Sequence, residues 1–458
     1  MEFSSLHFTG IGGSGMSSLA QVLRAQGFTV SGSDRTFDVN QKNCRTVADM
    51  FSRQGICIYP QDGTGVKEGL SALVVSTAIE ETNPDVIKAK QIGLKIITRA
   101  QMLSYVFNNK FGIAVGGTSG KSTVAAMIAF VLRQNDLDPV YIGGGIIKNF
   151  ESEKGQLSNA LCGASDIMCV ETDESDGSIV LYTPRISILT NITKDHKEVP
   201  ELQRLFAEFI RNTRDTIIIN YDCPLARKID TAKKNLVTYG IEQKADITAR
   251  HISLSPEGSS FSAAGADFQL RVLGVHNISN ALAAIAACRL IDLPLPRIAS
   301  ALAQFNGIKR RIELIGEANG IKVYDDFSHN GAKIRAALAA LKAHARRVIA
   351  VFQPHGYAPT RLMKEDFISA FSTALSPGDV LFMAEIFDAG GTADRTISSR
   401  ELAEEIGRKG IDARYVSLKE EIKRQVLELA RPGDTVVVMG ARDTTLSQFC
   451  EDILKSLG

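Results

Sequence analysis

Short apolar runs recur along this chain, and each ends in glycine or in a cluster of polar residues. The first group is Leu6 to Thr9, Phe28 to Gly32, Ala72 to Val75 and Ile96-Ile97. A second group is Phe111 to Val115, Asp166 to Val170, Ile186 to Thr190 and Thr216 to Asn220. A third is Ile321 to Tyr324, Val348 to Phe352, Val380 to Met383 and Thr435 to Met439. Runs so short and so apolar read as strands buried on both faces. Segments of helical spacing lie between them: Met16 to Arg24, Val124 to Arg133, Ala281 to Cys288, Ile334 to Leu341 and Ser399 to Ile406. Strands alternating with helices predict an α/β protein built on parallel, doubly wound sheets. In such sheets ligands bind beyond the carboxyl ends of the strands. The residues that end each run are therefore the candidates for chemistry.

Two of these ends are glycine loops. After Phe111 to Val115 comes Gly116-Gly117-Thr118-Ser119-Gly120-Lys121-Ser122-Thr123, which opens a helix. Glycines let the backbone pass close to a phosphate, and N–H groups at the new helix start point at it. Lys121 supplies a positive charge, and Ser122 a hydroxyl suited to Mg²⁺. The usual first glycine, six positions before Lys121, is Val115. The other loop, Gly10-Ile11-Gly12-Gly13-Ser14-Gly15, matches G-x-G-x-x-G between a strand and a helix. Asp34 follows about 20 residues on, where a dinucleotide fold binds a ribose diol. Alone, this loop reads as a site for NAD, for another pyrophosphate, or as a tight turn.

Further strand ends carry polar groups. Ser76, Thr77 and Arg99 are binding candidates, with a solvated loop the plain alternative. Glu171-Thr172-Asp173-Glu174-Ser175-Asp176 puts carboxylates where Mg²⁺ needs hard oxygen ligands. An acidic surface turn would look the same. Asn191 to His196 ends the next strand, and His196 reads as a metal ligand, a base or a packed side chain. Asn277 and Asn280 share a helix face and read as caps or as partners for a base. Lys309-Arg310-Arg311, Asp325-Asp326, Gln353-Pro354-His355 and Glu385 mark the third group of strands.

A length of 458 residues suits two or three domains. Lys+Arg 52 against Asp+Glu 51 leaves no global field for nucleic acid or an anionic membrane. The N-terminus lacks a signal pattern, and no apolar run reaches the ~18 residues of a membrane span. Seven scattered cysteines (44, 57, 162, 169, 223, 288 and 450) without metal spacing read as reduced thiols in a cytoplasm. The oligomeric state is left open.

In combination, these residues resemble the Mur ligases, most closely their alanine-adding branch. The matching motifs run the length of the chain: Gly10 to Met16 with Asp34; Gly117 to Thr123; Glu171 to Asp176; Asn191 with Asp195-His196; His276-Asn277 with Asn280; Lys309-Arg310-Arg311; Asp325-Asp326; and Phe352 to His355. Their order and spacing are specific, whereas any one alone is weak. The resemblance implies three domains: a Rossmann-like UDP-sugar-binding domain at 1–106, a P-loop ATP-binding domain with a mostly parallel sheet at 107–308, and a Rossmann-like domain at 309–458 that closes over ATP and brings the amine. It implies ADP-forming amide synthesis from an amino acid, L-alanine in this branch, and UDP-N-acetylmuramate, with ATP and Mg²⁺, for cytoplasmic synthesis of peptidoglycan precursors.

By the same resemblance, Lys121, Glu171 and His196 are catalytic. Gly117, Thr118, Ser119, Gly120, Lys121, Ser122 and Thr123 hold phosphates, Ser122 and Glu171 ligate one Mg²⁺, and His196 a second. Asn277 and Asn280 meet adenine, Arg311 the γ-phosphate side and Asp326 the ribose. The UDP-sugar falls to Gly12, Gly13, Ser14, Gly15, Met16, Asp34, Ser76, Thr77 and Arg99, and the amino acid to His329, His355 and Arg361. The chain departs from that branch at Ser119, where histidine is usual, and at Gly356 and Pro359, where arginines are usual. It departs again after Asp326, with Phe327-Ser328-His329-Asn330. Lost arginines remove bidentate grips on carboxylate or phosphate. A ligase for a different amine, acid or peptide is therefore the alternative. An NAD-dependent oxidoreductase and a non-catalytic nucleotide-binding regulator are further ones.

Overall fold

Five parallel strands form the first sheet, in the order Cys57–Tyr59, Thr29–Ser33, Ser5–Thr9, Ala72–Val75, Ile96–Thr98. The computed structural model describes residues 3–38, 42–151, 159–194, 197–231, 234–388 and 394–458. Strand order reverses between Ser5–Thr9 and Ala72–Val75, so a ligand crevice opens where the Gly10 loop and Ser76 emerge. Leu6, Phe8 and Val74 are fully buried. The helix Ser14–Ala25 packs Leu19, Val22 and Leu23 into that core. His7, also buried, bonds Ser31 Oγ at 2.9 Å through Nδ1, and its Nε2 lies 3.7 Å from the Asp85 carboxylate.

The second sheet has eight strands: Ile247–Thr248, Asn235–Gly240, Thr216–Asn220, Ile186–Leu189, Phe111–Gly116, Ile167–Glu171, Val140–Ile142 and Ala160–Cys162. Only the last pairing is antiparallel among the described residues. Phe111–Gly116 is central, with Ile186–Leu189 on one side and Ile167–Glu171 on the other. Three loops thus leave the same edge side by side. The following helix, Lys121–Gln134, is buried continuously from Val124 to Leu132, as its nearly all-apolar sequence requires.

The chain divides into two compact units. The first holds Met1–Ile192, Val199–Thr248 and Asn280–Leu302, and so contains both of these sheets. One apolar core runs through it, and Phe107 meets Tyr182 edge-on at 5.3 Å. The second unit holds Thr193–Glu198, Ala249–Ser279 and Ala303–Gly458. Its main sheet is ordered Glu313–Ala318, Ile321–Asp326, Asp434–Met439, Arg347–Phe352, Val380–Met383, Asp412–Tyr415. Glu313–Ala318 is antiparallel to its neighbour and the other pairings are parallel. Apolar layers cover both faces, Phe352 with Phe367 and Phe371 on one and Val436 with Phe449 on the other. The three mainly parallel sheets expected from the apolar runs are observed, together with a small antiparallel sheet.

Two features differ from the sequence expectation. The helix expected from Ala281 spans Val275–Arg289, starting after Gly274 at φ +93°. Asn277 and Asn280 therefore lie within its first turns rather than capping it, and Asn277 Nδ2 donates to Leu273 O at 2.8 Å. The antiparallel strands Arg250–Ser255, Gly258–Ala263 and Ala266–Leu270 lie outside the apolar runs that mark the other sheets. Their signal is alternation, with Phe261, Ala263, Phe268 and Leu270 buried between polar neighbours. No helix among the described residues is long and apolar enough to cross a membrane.

Candidate active site

The phosphate loop is laced to the neighbouring strand end. Thr118 Oγ1 donates to Asn191 Oδ1 at 2.8 Å and the Ser119 N–H to the same oxygen at 3.0 Å. Asn191 Nδ2 returns a bond to Ser119 O at 3.0 Å, and Thr190 Oγ1 donates to that carbonyl at 2.7 Å. Glycine is required twice. Gly117 has φ +130° and a Cβ there would stand 2.1 Å from Thr190 Oγ1; Gly120 has φ +86° and a Cβ would stand 2.5 Å from Asn280 Oδ1. Asn280, one of the expected adenine partners, thus borders the loop. Ser119 Oγ is buried without a hydrogen-bond partner among the described residues. An orphaned hydroxyl inside a glycine cradle at a helix start fits a phosphate.

Lys121 Nζ donates to Gly117 O and to Glu174 Oε2, each at 2.6 Å. Glu174 is buried, and burial pushes its carboxyl above the usual range while Lys121 opposes the shift. Glu171, closing the adjacent strand, accepts from the Gly144 N–H at 3.2 Å. Ser122, buried at the helix start, and Glu171 offer the hard oxygens a magnesium ion takes. No group of three or more His, Cys, Asp or Glu side chains among the described residues could hold a metal, and His196 lies outside those residues.

The first glycine loop is built differently. Gly10 has φ +78°. The Gly12 N–H donates to Asp34 Oδ2 at 2.8 Å, so this carboxylate secures the loop itself. Gly13 precedes the helix in an extended conformation, and no side chain caps it. Arg99 lies against the helix start, its Cδ 3.2 Å from where a Cβ on Gly15 would stand. Its guanidinium has no hydrogen-bond or ion-pair partner among the described residues. Across the loop, Asn159 Nδ2 donates to Ser14 O at 3.1 Å.

Ser76, Thr77 and Arg99, separate in sequence, line one cavity of about 310 Å³. Asp176, Gly177 and Ser178 line its other side. Sequence reasoning had placed this acidic turn only at the phosphate loop. A larger cavity, about 720 Å³, lies between Asp62–Lys67 and the helix Pro84–Gln91 and contains none of the expected residues.

In the second unit, Asp326 accepts from the N–H groups of Ile312 and Ser328, both at 2.8 Å. Arg310 pairs with buried Asp325 at 3.2 Å and donates to Gly440 O at 2.7 Å. Arg310 and Arg311 each stack over the Phe327 ring at 5.1 Å. His329 meets His355 edge-on at 5.0 Å. Burial holds the His329 imidazole well below its usual range, helped by Lys333 and His355. Arg361 is turned away, bound to Asp394 and Thr396. Of the three residues expected to meet the amino acid, the structure brings together the two histidines.

Three family models match this chain in succession: Mur ligase family, catalytic domain, over residues 5–111; Mur ligase middle domain over 115–288; and Mur ligase, glutamate ligase domain, over 310–442. A UDP-N-acetylmuramate–L-alanine ligase of Geobacter sulfurreducens is 35% identical over 456 residues, 96% of this chain and 95% of that protein. The crystal structure of a UDP-N-acetylmuramate-alanine ligase from Thermotoga maritima has the same fold, with TM-score 0.77 at 24% identity over 99% of this chain and 98% of that one. A murein peptide ligase from Psychrobacter arcticus superposes with TM-score 0.68 at 25% identity over 99% of both.

Proposed function

The chain belongs to the Mur ligase family of ATP-dependent enzymes, and we propose that it joins L-alanine to the carboxylate of UDP-N-acetylmuramate in the cytoplasmic synthesis of peptidoglycan precursors. The turn from Glu171 to Ser178 carries this reading. Its Glu174 holds Lys121 of the phosphate loop, and its Asp176, Gly177 and Ser178 line the cavity shared with Ser76, Thr77 and Arg99. One turn thus serves both the triphosphate and the candidate pocket for the sugar acid, as a transfer between them requires. In the proposed reaction a carboxylate oxygen attacks the γ-phosphorus and ADP leaves. The amine nitrogen then attacks the acyl carbon, loses a proton and expels phosphate. Phosphoryl transfer needs positioning and charge neutralisation more than a protein nucleophile. Lys121 and the loop N–H groups supply both. Magnesium, when bound, adds positive charge at the phosphates; Ser122 and Glu171 are its proposed donors, with His196 for a second ion. Arg99 answers the anionic end of the UDP-sugar.

The test is phosphate release and product formation with ATP, Mg²⁺, UDP-N-acetylmuramate and L-alanine. Absence of release with any of the common amino acids overturns the reading. Gly356 and Pro359 support a second one, in which the same machinery ligates a peptide. A screen of short peptides against amino acids separates the two. Family membership removes the oxidoreductase alternative for the Gly10 loop.

A further inference from the structure

The carboxyl ends of three adjacent strands in the second unit are tied to one another. Gln353 N–H donates to Met439 O at 2.9 Å, and Gly440 N–H to Asp326 O at 3.1 Å. Beyond these ties, Gly356 begins the short helix Tyr357–Leu362 at φ +127°. A Cβ on Gly356 would stand 3.7 Å from Arg442 Nη1 and 3.7 Å from Pro359 Cδ, with Phe387 O at 4.0 Å. The space that a side chain at 356 would enter is therefore bordered by a guanidinium that arrives from a different strand end, 86 residues further along the chain.

Arg442 is exposed, and it has no hydrogen-bond or ion-pair partner among the described residues. The carboxylates on the same edge are committed elsewhere. Asp443 pairs with Lys419, and Asp325 with Arg310 and Ser447. Both oxygens of Asp326 take backbone N–H groups. Glu385 accepts from the Tyr415 hydroxyl at 2.6 Å. An unneutralised guanidinium on the ligand edge of a parallel sheet is a site for an anion. Its planar fork selects a carboxylate or a phosphate over a neutral group. Arg99 stands in the same condition beside the first glycine loop, bordering a cavity and unpaired among the described residues.

We propose that Arg442 grips the carboxylate of the amine donor, so that the donor is an amino acid or short peptide carrying a free carboxylate. The proposal rests on the ligase reading above. Arg442 holds the donor by its charge while the amine stays free to attack. Gly356 leaves the approach open, and His355 beside it packs edge-on against His329.

Steady-state ligation by the full chain tests this, with L-alanine, L-alaninamide and alanine-terminated short peptides as donors. Arg442→Ala should raise the KM for the preferred donor about tenfold or more, the scale of a lost charge-assisted pair. It should leave the KM values for ATP and the UDP-sugar in place. Arg442→Lys should recover part of the loss, and L-alaninamide should be a poor donor whose turnover is indifferent to residue 442. Equal melting temperatures will show that the variants fold, as the exposed position leads one to expect. A preference for L-alanine or for a peptide identifies which source supplies the carboxylate. Ligation that Arg442→Ala leaves unchanged, an increase confined to the KM for ATP, or wild-type indifference between acid and amide overturns the proposal alone. No ligation with any donor overturns it together with the ligase reading.

Discussion

The two glycine loops of the first unit each follow a central strand and open a helix, yet they are secured by opposite means. The loop at Gly117 carries its own cation, Lys121, and is bound from outside by the neutral side chains of Thr190 and Asn191. The loop at Gly12 is bound from outside by a carboxylate, Asp34, and carries no cation of its own. A phosphate approaching that second kind of loop meets negative charge behind the backbone, and the compensating charge has to come from elsewhere. In the proposed reading Arg99, at the end of a strand two places away in the sheet order, supplies it. On the proposed assignment, the contrast explains how similar glycine patterns would serve different ligands. A triphosphate needs a cation fixed within the cradle, whereas a nucleotide-sugar can be held by a helix start, one remote arginine and hydroxyls.

The largest effect should come from removing the internal cation. Lys121→Ala is expected to lower kcat about a hundredfold or more, the scale of losing one preorganised group that stabilises charge in the transition state. The fold should persist, because Glu174, left without its partner, has a carboxyl already shifted toward the neutral form. Circular dichroism and phosphate release measured together check both halves. Normal turnover in this variant would break the comparison at its root.

A smaller and more selective effect is expected at the other loop. Arg99→Ala should raise the KM for the UDP-sugar roughly tenfold, on the scale of one charge-assisted hydrogen bond, and leave the KM for ATP unchanged. Equal increases in both would mean that the two loops do not divide the substrates between them.

How far each loop could be read from sequence follows from the same difference. Gly117 to Thr123 is a local motif, so its strand, turn, helix and Lys121 were legible together. The Gly10 loop was equally legible as geometry, but its residues alone left the ligand open between NAD, another pyrophosphate and a tight turn, and only the resemblance chose a UDP-sugar; Arg99 comes beside the loop only through the sheet order. The buried strands were legible because both of their faces are apolar. The strands between Arg250 and Leu270 carry no apolar run: Arg250–Ser255 buries no position, and in Gly258–Ala263 and Ala266–Leu270 serine, aspartate and glutamine interrupt the buried residues. Arg442 was legible only as a polar residue beyond the Thr435 to Met439 run, since nothing local relates it to Gly356. Its place is set by the pairing of Arg347–Phe352 with Asp434–Met439. Asn280 was visible as a candidate, but the start of its helix was misplaced by six residues, because Val275 to Asn280 mixes polar and apolar residues without helical periodicity.

The smallest expected effect is on stability, and it sharpens the contrast between an internal cation and an external carboxylate. Glu174 is buried behind Lys121, and its folded-state pKa is raised above the ordinary 4.5, chiefly by burial. Between those two values the folded chain binds the proton more tightly than the unfolded chain. The contribution of Glu174 to stability is thus full below about pH 4.5 and is lost as the pH rises through the folded value. Glu174→Gln has no proton to lose, so its unfolding midpoint in urea should fall less than the wild type's across that window, by no more than one proton's worth of slope. The glutamine keeps a hydrogen-bond acceptor for Lys121 but releases its charge, so the KM for ATP should stay level or fall. An identical pH dependence in wild type and variant would mean that Lys121 fully compensates the burial of Glu174.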